Sequence, residues 1–279
     1  MQGSAIAFVV FVVAVIFLPQ IESFKGTELV LTISTFLFAI LVGFFLSRLN
    51  SRFDRMRDLI AKQDADWLSF YEMSIFLGKG FSKKVRELID RYLITSYDFK
   101  LGEAYKQTAR PLHNVYKELK ELKISNKRNA KDIFDNAVDK LSEIEEDRNA
   151  SSVLSLERLT RGQWLVLLIL AAIIVFCVFV LLRQEIYSKI ITVLLSTILV
   201  LILLMMRDLQ NLKLSGRETG FESGQEVFEG INKLRYVHEN DIQSESIPDT
   251  IKEYRQGIHE PGKTPKIKII KNPDYKKPK

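Results

Sequence analysis

Residues 164–182 read WLVLLILAAIIVFCVFVLL, and this uncharged stretch decides the fold class of the chain. Two more stretches, residues 29–46 and 190–206, also lack charged side chains. A helix rises 1.5 Å per residue, so segments of roughly 17–19 residues reach about 26–28 Å, or one hydrocarbon thickness. The alternative, three buried core helices, is disfavoured because the flanking sequence is too polar to cover them. The sequence therefore predicts three membrane-spanning helices.

A shorter apolar stretch, residues 5–18, precedes Pro19. A signal peptide would carry a basic start and a small-residue cleavage site, and residues 1–4 contain no Lys or Arg. We therefore favour a short first span over about residues 5–21. The prediction is an all-α membrane protein with four spans in two hairpins. The hairpins cover residues 1–46 (spans about 5–21 and 28–46) and 164–206 (spans 164–182 and 190–206).

Charge is segregated along the 279 residues, although the mean hydropathy of +0.04 resembles that of a soluble protein. This segregation excludes a single soluble globule and a fully disordered chain. The lone cysteine, Cys177, lies in an apolar run, which excludes a disulfide scaffold. Basic residues near the long spans are concentrated on the side of residues 47–163 and 207–279. The positive-inside rule therefore predicts a cytoplasmic N-terminus, centre and C-terminus in the inner or plasma membrane.

Residues 47–163 are polar and show helical periodicity, which predicts a cytoplasmic helical bundle. The second span is expected to continue to Gly78. Ser82 is expected to cap the next helix, and a third helix is expected to begin near Pro111. A fourth is expected to continue through Leu159 into the third span.

An apolar seam follows the second span, with one polar interruption at Gln63. Two alternatives stay open: the seam packs inside one subunit, or it also joins subunits. Gln63 either sets the register between helices or faces solvent. The seam consists of Leu49, Phe53, Met56, Ile60, Trp67 and Phe70.

The region after the fourth span divides into two parts. Residues 207–239 are expected to hold a juxtamembrane amphipathic helix over 222–237, which packs on the bundle or lies along the membrane. Residues 240–279 are rich in lysine and proline, which predicts a flexible basic tail. Nucleic-acid binding is disfavoured because few aromatic residues accompany the basic ones.

The chain offers little that resembles a catalytic or metal centre. His113, His238 and His259 lie in different segments, without a carboxylate or cysteine at metal-ligand spacing. Cys177 is expected to act as a small hydrophobic residue, and no phosphate-binding glycine loop is present. We therefore expect no enzyme activity, no cofactor and no metal.

One stripe on the second span combines Phe36, Ile40 and Phe44, with Gly43 beside it. Such a row can face lipid, pack on another span, or line a hydrophobic constriction. The interiors of the spans carry no ionisable residue, which disfavours a proton relay or a charged transport site.

Four short motifs carry a family resemblance. Residues 42–56 (VGFFLSRLNSRFDRM) end the second span and residues 148–164 (RNASSVLSLERLTRGQW) introduce the third. Residues 205–214 (MMRDLQNLKL) end the fourth and precede 221–237 (FESGQEVFEGINKLRYV). With the hairpin layout, these motifs resemble the bacterial bestrophin-like domain family over about residues 27–237.

True bestrophins are oligomeric anion channels whose second span lines a hydrophobic neck. The resemblance therefore implies a gate at Phe36, Ile40 and Phe44, beside Gly43. Arg48 and Arg52 would concentrate anions at the cytoplasmic mouth, or serve only as positive-inside anchors. The chain departs from the animal channels because it lacks their acidic calcium clasp and their proline-containing start of the second span.

Two functions follow as hypotheses. The first is an oligomeric bestrophin-like channel or channel-related protein, embedded in the lipid bilayer as a homo-oligomer and passing small anions. The second is a non-conducting scaffold whose bundle and tail bind a cytoplasmic partner.

Overall fold

The computed structural model describes residues 2–17, 25–99, 101–123, 128–214, 217–218, 221–239, 247–260, 263 and 265–276. The chain divides into two compact units. The membrane unit comprises Met1–Phe53 and Arg158–Ser215, and the bundle unit comprises Asp54–Glu157 and Gly216–Lys279.

The described residues are mostly helical, as the sequence predicts. The helices are α1 Gln2–Phe17, α2 Thr27–Leu77, α3 Lys79–Asp98, α4 Leu101–Lys120, α5 Arg128–Leu156, α6 Arg161–Val180, α7 Ile186–Gln210 and α8 Phe221–Gly230. The strands are β1 Lys213–Leu214, β2 Arg217–Glu218, β3 Tyr236–His238, β4 Glu253–Gly257 and β5 Ile267–Lys271. The prediction of an all-α chain is therefore wrong in detail.

Three helices, α2, α6 and α7, are long and apolar enough to cross a membrane. Their most apolar windows are only 22%, 28% and 33% buried. Helix α1 is apolar but has 16 residues, so it reaches about 24 Å. It packs against α7 within the membrane unit, as does α6. A fourth span at α1 stays a prediction.

Helix α2 ends at Leu77, where the sequence predicts its end, because Gly78 has a φ of 131° that residues with a Cβ rarely adopt. The prediction that Ser82 caps the next helix is wrong. Helix α3 already begins at Lys79, and the Ser82 hydroxyl donates to the Lys79 carbonyl 3.2 Å away.

Two other predicted boundaries are wrong. Helix α4 begins at Leu101, and Pro111 lies inside it although proline removes one backbone hydrogen bond. The fourth helix does not continue into the third span, because α5 ends at Leu156 and Thr160 caps α6. In this capping box Thr160 Oγ1 accepts from the Gln163 amide, and Gln163 Oε1 accepts from the Thr160 amide.

The apolar seam is mostly buried inside a single chain, and Ile60 is half-buried. Met56, Trp67 and Phe70 are fully buried, so their burial needs no second copy. Gln63 does not simply face solvent, because its Nε2 donates to the Tyr92 hydroxyl (3.0 Å) and to the Ile144 carbonyl (3.3 Å). The packing therefore favours the first of the two alternatives for the seam.

Helix α8 packs on the bundle core through Val227 and Phe228, and Ile231, just after the helix, is fully buried as well. It ends at Gly230, well before residue 237, because Asn232 adopts a φ of 56°. The Lys233 amide then donates to the Phe228 carbonyl, and the Asn232 amide donates to the Glu229 carbonyl. This is a Schellman motif, which closes a helix.

A three-stranded sheet replaces part of the expected flexible tail. Strand β3 pairs with β4 in parallel, and β4 pairs with β5 antiparallel. The prediction of flexibility is wrong for β4 and β5, and residues 240–246, 261–262, 264 and 277–279 of the tail lie outside the described residues. The sheet is anchored because Arg255 on β4 forms a buried ion pair with Asp90 on α3.

Candidate functional site

The apolar part of α2 has two faces that differ sharply in exposure. Phe38, Val42 and Phe45 are 6%, 8% and 7% exposed and form the face that packs within the membrane unit. The stripe proposed from the sequence lies on the other face. A helix turns by about 100° per residue, so residues 36, 40 and 44 stay within about 80° of one another.

The structure leaves this stripe uncovered in a single chain. Phe36, Ile40 and Phe44 are 65%, 53% and 66% exposed. Gly43 is exposed as well, and a Cβ built on it would meet no described atom within 4 Å. An apolar surface of this kind is stable only against lipid, another span or another copy of the chain.

Arg48 and Arg52 have different surroundings. Arg48 is exposed at the end of the apolar stretch. Arg52 is only 5% exposed, and its Nη1 donates to the Gln210 carbonyl over 2.9 Å. It lies about 160° around the helix from Phe36, which places it on the packed face. The Arg52 guanidinium therefore connects α2 to the C-terminal end of α7 through a hydrogen bond.

Gln210 is a junction that the sequence does not single out. Its side-chain Oε1 accepts from Trp164 Nε1 (2.8 Å) and from the Leu159 amide (3.3 Å). Its backbone carbonyl is the acceptor for Arg52. One residue thus connects α2, α6 and α7. Only the motif MMRDLQNLKL hints at it, and that motif reveals none of these partners.

A pocket of about 590 Å³ opens beside this junction. Arg158 and Arg161 give it positive charge, and leucines give it an apolar wall. It is lined by Arg158, Leu159, Thr160, Arg161, Trp164, Leu165, Leu168 and Gln210.

Hydroxyl groups supply the buried polarity in the spans. Thr192, Ser196 and Thr197 on α7 are all buried. The Thr197 hydroxyl donates to the Val193 carbonyl over 2.7 Å, as hydroxyls in apolar helices commonly do. The Ser196 hydroxyl has no hydrogen-bond partner among the described residues.

Asp64 in the bundle unit is a titratable group with an unusual environment. It lies on α2 beyond the apolar stretch 29–46 and is 6% exposed. Burial raises the pKa of its carboxyl from about 3.8 to about 7, although a hydrogen bond from the Ser223 hydroxyl lowers it. Its carboxyl therefore titrates near neutral pH.

The structure also brings together residues that the sequence keeps apart. Asp98, His238 and His259 each offer one ligand atom, and these atoms lie within 4.8 Å of one another. His113 is exposed and belongs to no such group among the described residues. Spacing could not reveal the cluster, because its members come from α3, β3 and the segment after β4.

These features define a class of protein: a helical membrane protein with several apolar spans and a polar helical bundle. A family model described as the bestrophin-like domain matches residues 4–212. The chain therefore belongs to the bestrophin-like family.

Solved structures share the fold at low sequence identity. A single-residue variant of a membrane protein has a TM-score of 0.62 and 13% identity, covering 83% of this chain and 98% of its own. A variant of a bacterial bestrophin homologue from Klebsiella pneumoniae has a TM-score of 0.59 and 13% identity, covering 82% and 93%. No curated protein matches the chain.

Proposed function

We propose that the chain is one subunit of an oligomeric bestrophin-like channel that passes small anions. The observation that carries this proposal is the uncovered apolar stripe on α2 of a bestrophin-family chain: Phe36, Ile40 and Phe44 are each more than half exposed. Bestrophins are membrane anion channels, and a membrane location follows from the family and the apolar helices.

Assembly of several copies is part of the proposal. The apolar windows of α2, α6 and α7 are at most one-third buried in one chain. The buried seam is internal, so the subunits would meet through the exposed faces of the spans. A ring of copies would place the α2 stripes around an axial path, where a hydrophobic constriction gates ions by excluding water.

The two arginines take different roles in this proposal. Exposed Arg48 attracts anions to the cytoplasmic mouth, because its charge raises the local anion concentration. Arg52 holds the pore helix in place through its bond to the Gln210 carbonyl. Removing Arg48 lowers flux more at low ionic strength than at high ionic strength, because salt screens exposed charges.

The topology is proposed from charge and helix length. Helices α1, α2, α6 and α7 would cross the membrane, with the N-terminus, the bundle and the C-terminus in the cytoplasm. Cys177 is the only cysteine, so a Cys177→Ser background gives a clean test. In this background, Gln2→Cys should be labelled from the cytoplasmic side and Glu185→Cys from the opposite side. Labelling of both from the same side would overturn the four-span arrangement.

Anion flux in liposomes tests conduction. Protein reconstituted as an oligomer should dissipate a chloride gradient across the liposome membrane. Phe44→Ala should raise the chloride flux, because a smaller side chain lets water enter the constriction. Phe17→Ala on α1 is the matched control, because Phe17 is an exposed phenylalanine outside α2.

Two results would contradict the channel. One is a complete lack of flux from oligomer that is well reconstituted, and the other is an equal response to Phe44→Ala and Phe17→Ala. The first result leaves the scaffold hypothesis, in which the bundle and the docked C-terminal sheet bind a partner. Native mass spectrometry of the detergent-solubilised protein tests the assembly itself, and a monomer would contradict it.

A further inference from the structure

We propose that Asp98, His238 and His259 form a binding site for a divalent transition metal of the zinc type. Two imidazoles and one carboxylate are a ligand set that suits zinc, whereas calcium and magnesium prefer oxygen ligands alone. One ligand atom from each residue lies within 4.8 Å of the others. The proposal is independent of conduction.

Burial distinguishes this cluster from a surface group of polar residues. The side chains of His259 and Asp98 are 2% and 5% exposed, and His238 as a whole is 4% exposed. His259 Nε2 lies 2.7 Å from Asp98 Oδ2. Its Nδ1 is buried and has no hydrogen-bond partner among the described residues.

The surrounding contacts resemble the supports that metal ligands usually have. The Tyr236 hydroxyl donates to Asp98 Oδ1 over 2.6 Å and so orients the carboxylate. His238 Nε2 lies 2.8 Å from the His259 carbonyl, which favours the tautomer protonated at Nε2. Metal-ligating histidines typically donate their other ring nitrogen to a carbonyl or carboxylate in this way.

Space for an ion requires only small movements. Ligand atoms about 2.1 Å from a tetrahedral zinc ion lie about 3.4 Å apart. The Asp98–His259 pair, now at 2.7 Å, would open by about 0.7 Å, and the other separations, all within 4.8 Å, would close by at most about 1.4 Å. Gly257 beside the cluster matters here, because a Cβ on it would collide with the Tyr236 hydroxyl and lie 3.2 Å from His259 Cε1.

The site joins parts of the bundle unit that are distant in sequence. Asp98 is the last residue of α3, His238 ends β3, and His259 follows β4. Both histidines lie beyond residue 212, where the match to the bestrophin-like domain ends. A bound ion would fasten the C-terminal sheet to the bundle and stabilise the folded state by mass action.

The test uses the full chain in detergent, without a histidine tag and stripped with a chelator. Titration with Zn²⁺ should show one saturable site by calorimetry and a rise in melting temperature. Co²⁺ should give the intense visible bands of a four-coordinate ion. Binding should weaken as the pH falls, because protons compete for the imidazoles.

Variants separate the site from adventitious binding. His259→Gln and Asp98→Asn should abolish the saturable site, and Tyr236→Phe should weaken Zn²⁺ binding by about 10–100-fold. His113→Ala is the matched control because His113 is exposed, and it should bind normally. The proposal is overturned if wild-type protein shows no saturable site. It is also overturned if folded His259→Gln binds like wild type, or if His113→Ala alone removes binding.

Discussion

The two units of the chain bury their apolar residues in opposite ways. In the bundle unit, Trp67, Phe70 and Val85 are fully buried within one chain. In the membrane unit, Phe36, Ile40 and Phe44 are more than half exposed. The bundle has a complete core driven by the exclusion of water, whereas the membrane unit depends on lipid or on further copies for cover. Variants can test how far this contrast extends to stability.

The largest effect is expected from Arg255→Leu in the bundle unit. Arg255 Nη1 donates to Asp90 Oδ2 over 3.0 Å, and its Nη2 lies 2.7 Å from Oδ1. Removing the arginine leaves a buried carboxylate whose only remaining basic partner among the described residues is Lys233, at 3.8 Å. We expect the free energy of unfolding of the bundle to fall by about 3–5 kcal/mol, measured by denaturant titration.

The double variant Arg255→Leu, Asp90→Leu is the matched control. It removes the uncompensated charge, so most of the lost stability should return. If the double variant is as unstable as Arg255→Leu, the loss comes from the other contacts of Arg255. These are the bond from its Nε to the Leu234 carbonyl (2.8 Å) and its packing against Phe228, whose ring centroid lies 4.8 Å from the guanidinium carbon.

Asp64→Asn should have a pH-dependent effect on the same unit. The pKa of Asp64 is raised from about 3.8 to about 7 by burial, so this carboxyl favours the folded state most below pH 3.8. That contribution is lost as the pH rises to about 7, because the unfolded chain then ionises more readily than the folded one. The asparagine variant does not titrate, so its stability relative to wild type should rise by up to ~4 kcal/mol between pH 4 and pH 7.

Melting temperatures at pH 4, 6 and 8 measure this difference. Asp58→Asn is the control, because Asp58 is an exposed aspartate on the same helix. A difference between Asp64→Asn and wild type that does not change with pH would show that the carboxyl keeps an ordinary pKa.

Some features of the fold could be predicted from the sequence, and others could not. The end of α2 was predictable because Gly78 is a local signal, and so were the spans, because an uncharged run needs no partner to be recognised. The sheet was not predictable, because β3, β4 and β5 are three to five residues long and their pairing joins distant segments.

The candidate site follows the same division between local and distant signals. The stripe at Phe36, Ile40 and Phe44 comes from helical periodicity, and a helical wheel would also have placed Arg52 about 160° from Phe36. The bond from Arg52 to Gln210 and the cluster around His259 depend on tertiary packing. Local periodicity carries no information about either.

The contrast between the faces of α2 predicts different responses from two neighbouring phenylalanines. Phe38 is 6% exposed and Phe36 is 65% exposed. Phe38→Ala should lower stability in detergent by about 2 kcal/mol. This loss is smaller than in a water-soluble core. Detergent is about as apolar as the protein interior, so no free energy of transfer from water is lost and only the cost of the cavity remains. Phe36→Ala should change it by less than about 0.5 kcal/mol.

The matched pair also tests the proposed pore. If Phe36 faces the pore, its truncation removes few contacts. The Phe36→Ala protein should then melt near the temperature of wild type, whereas its anion flux should change. Equal destabilisation by Phe36→Ala and Phe38→Ala would place Phe36 in a packed subunit interface, which contradicts a role as a gate.

A smaller loss of stability than that of Phe38→Ala is expected at the junction of the membrane unit. Gln210→Ala removes the acceptor for Trp164 Nε1 and the Leu159 amide but keeps the carbonyl that binds Arg52. Two neutral hydrogen bonds together contribute about 1–2 kcal/mol.

A double-mutant cycle with Trp164→Phe should give a coupling near 1 kcal/mol, because both changes remove the same bond. Trp67→Phe is the matched control: the Trp67 Nε1 has no hydrogen-bond partner among the described residues, so its effect should simply add to that of Gln210→Ala. Additivity in both cycles would mean that Trp164 and Gln210 are not bonded, and the membrane unit would then be held by apolar packing and the Arg52 contact.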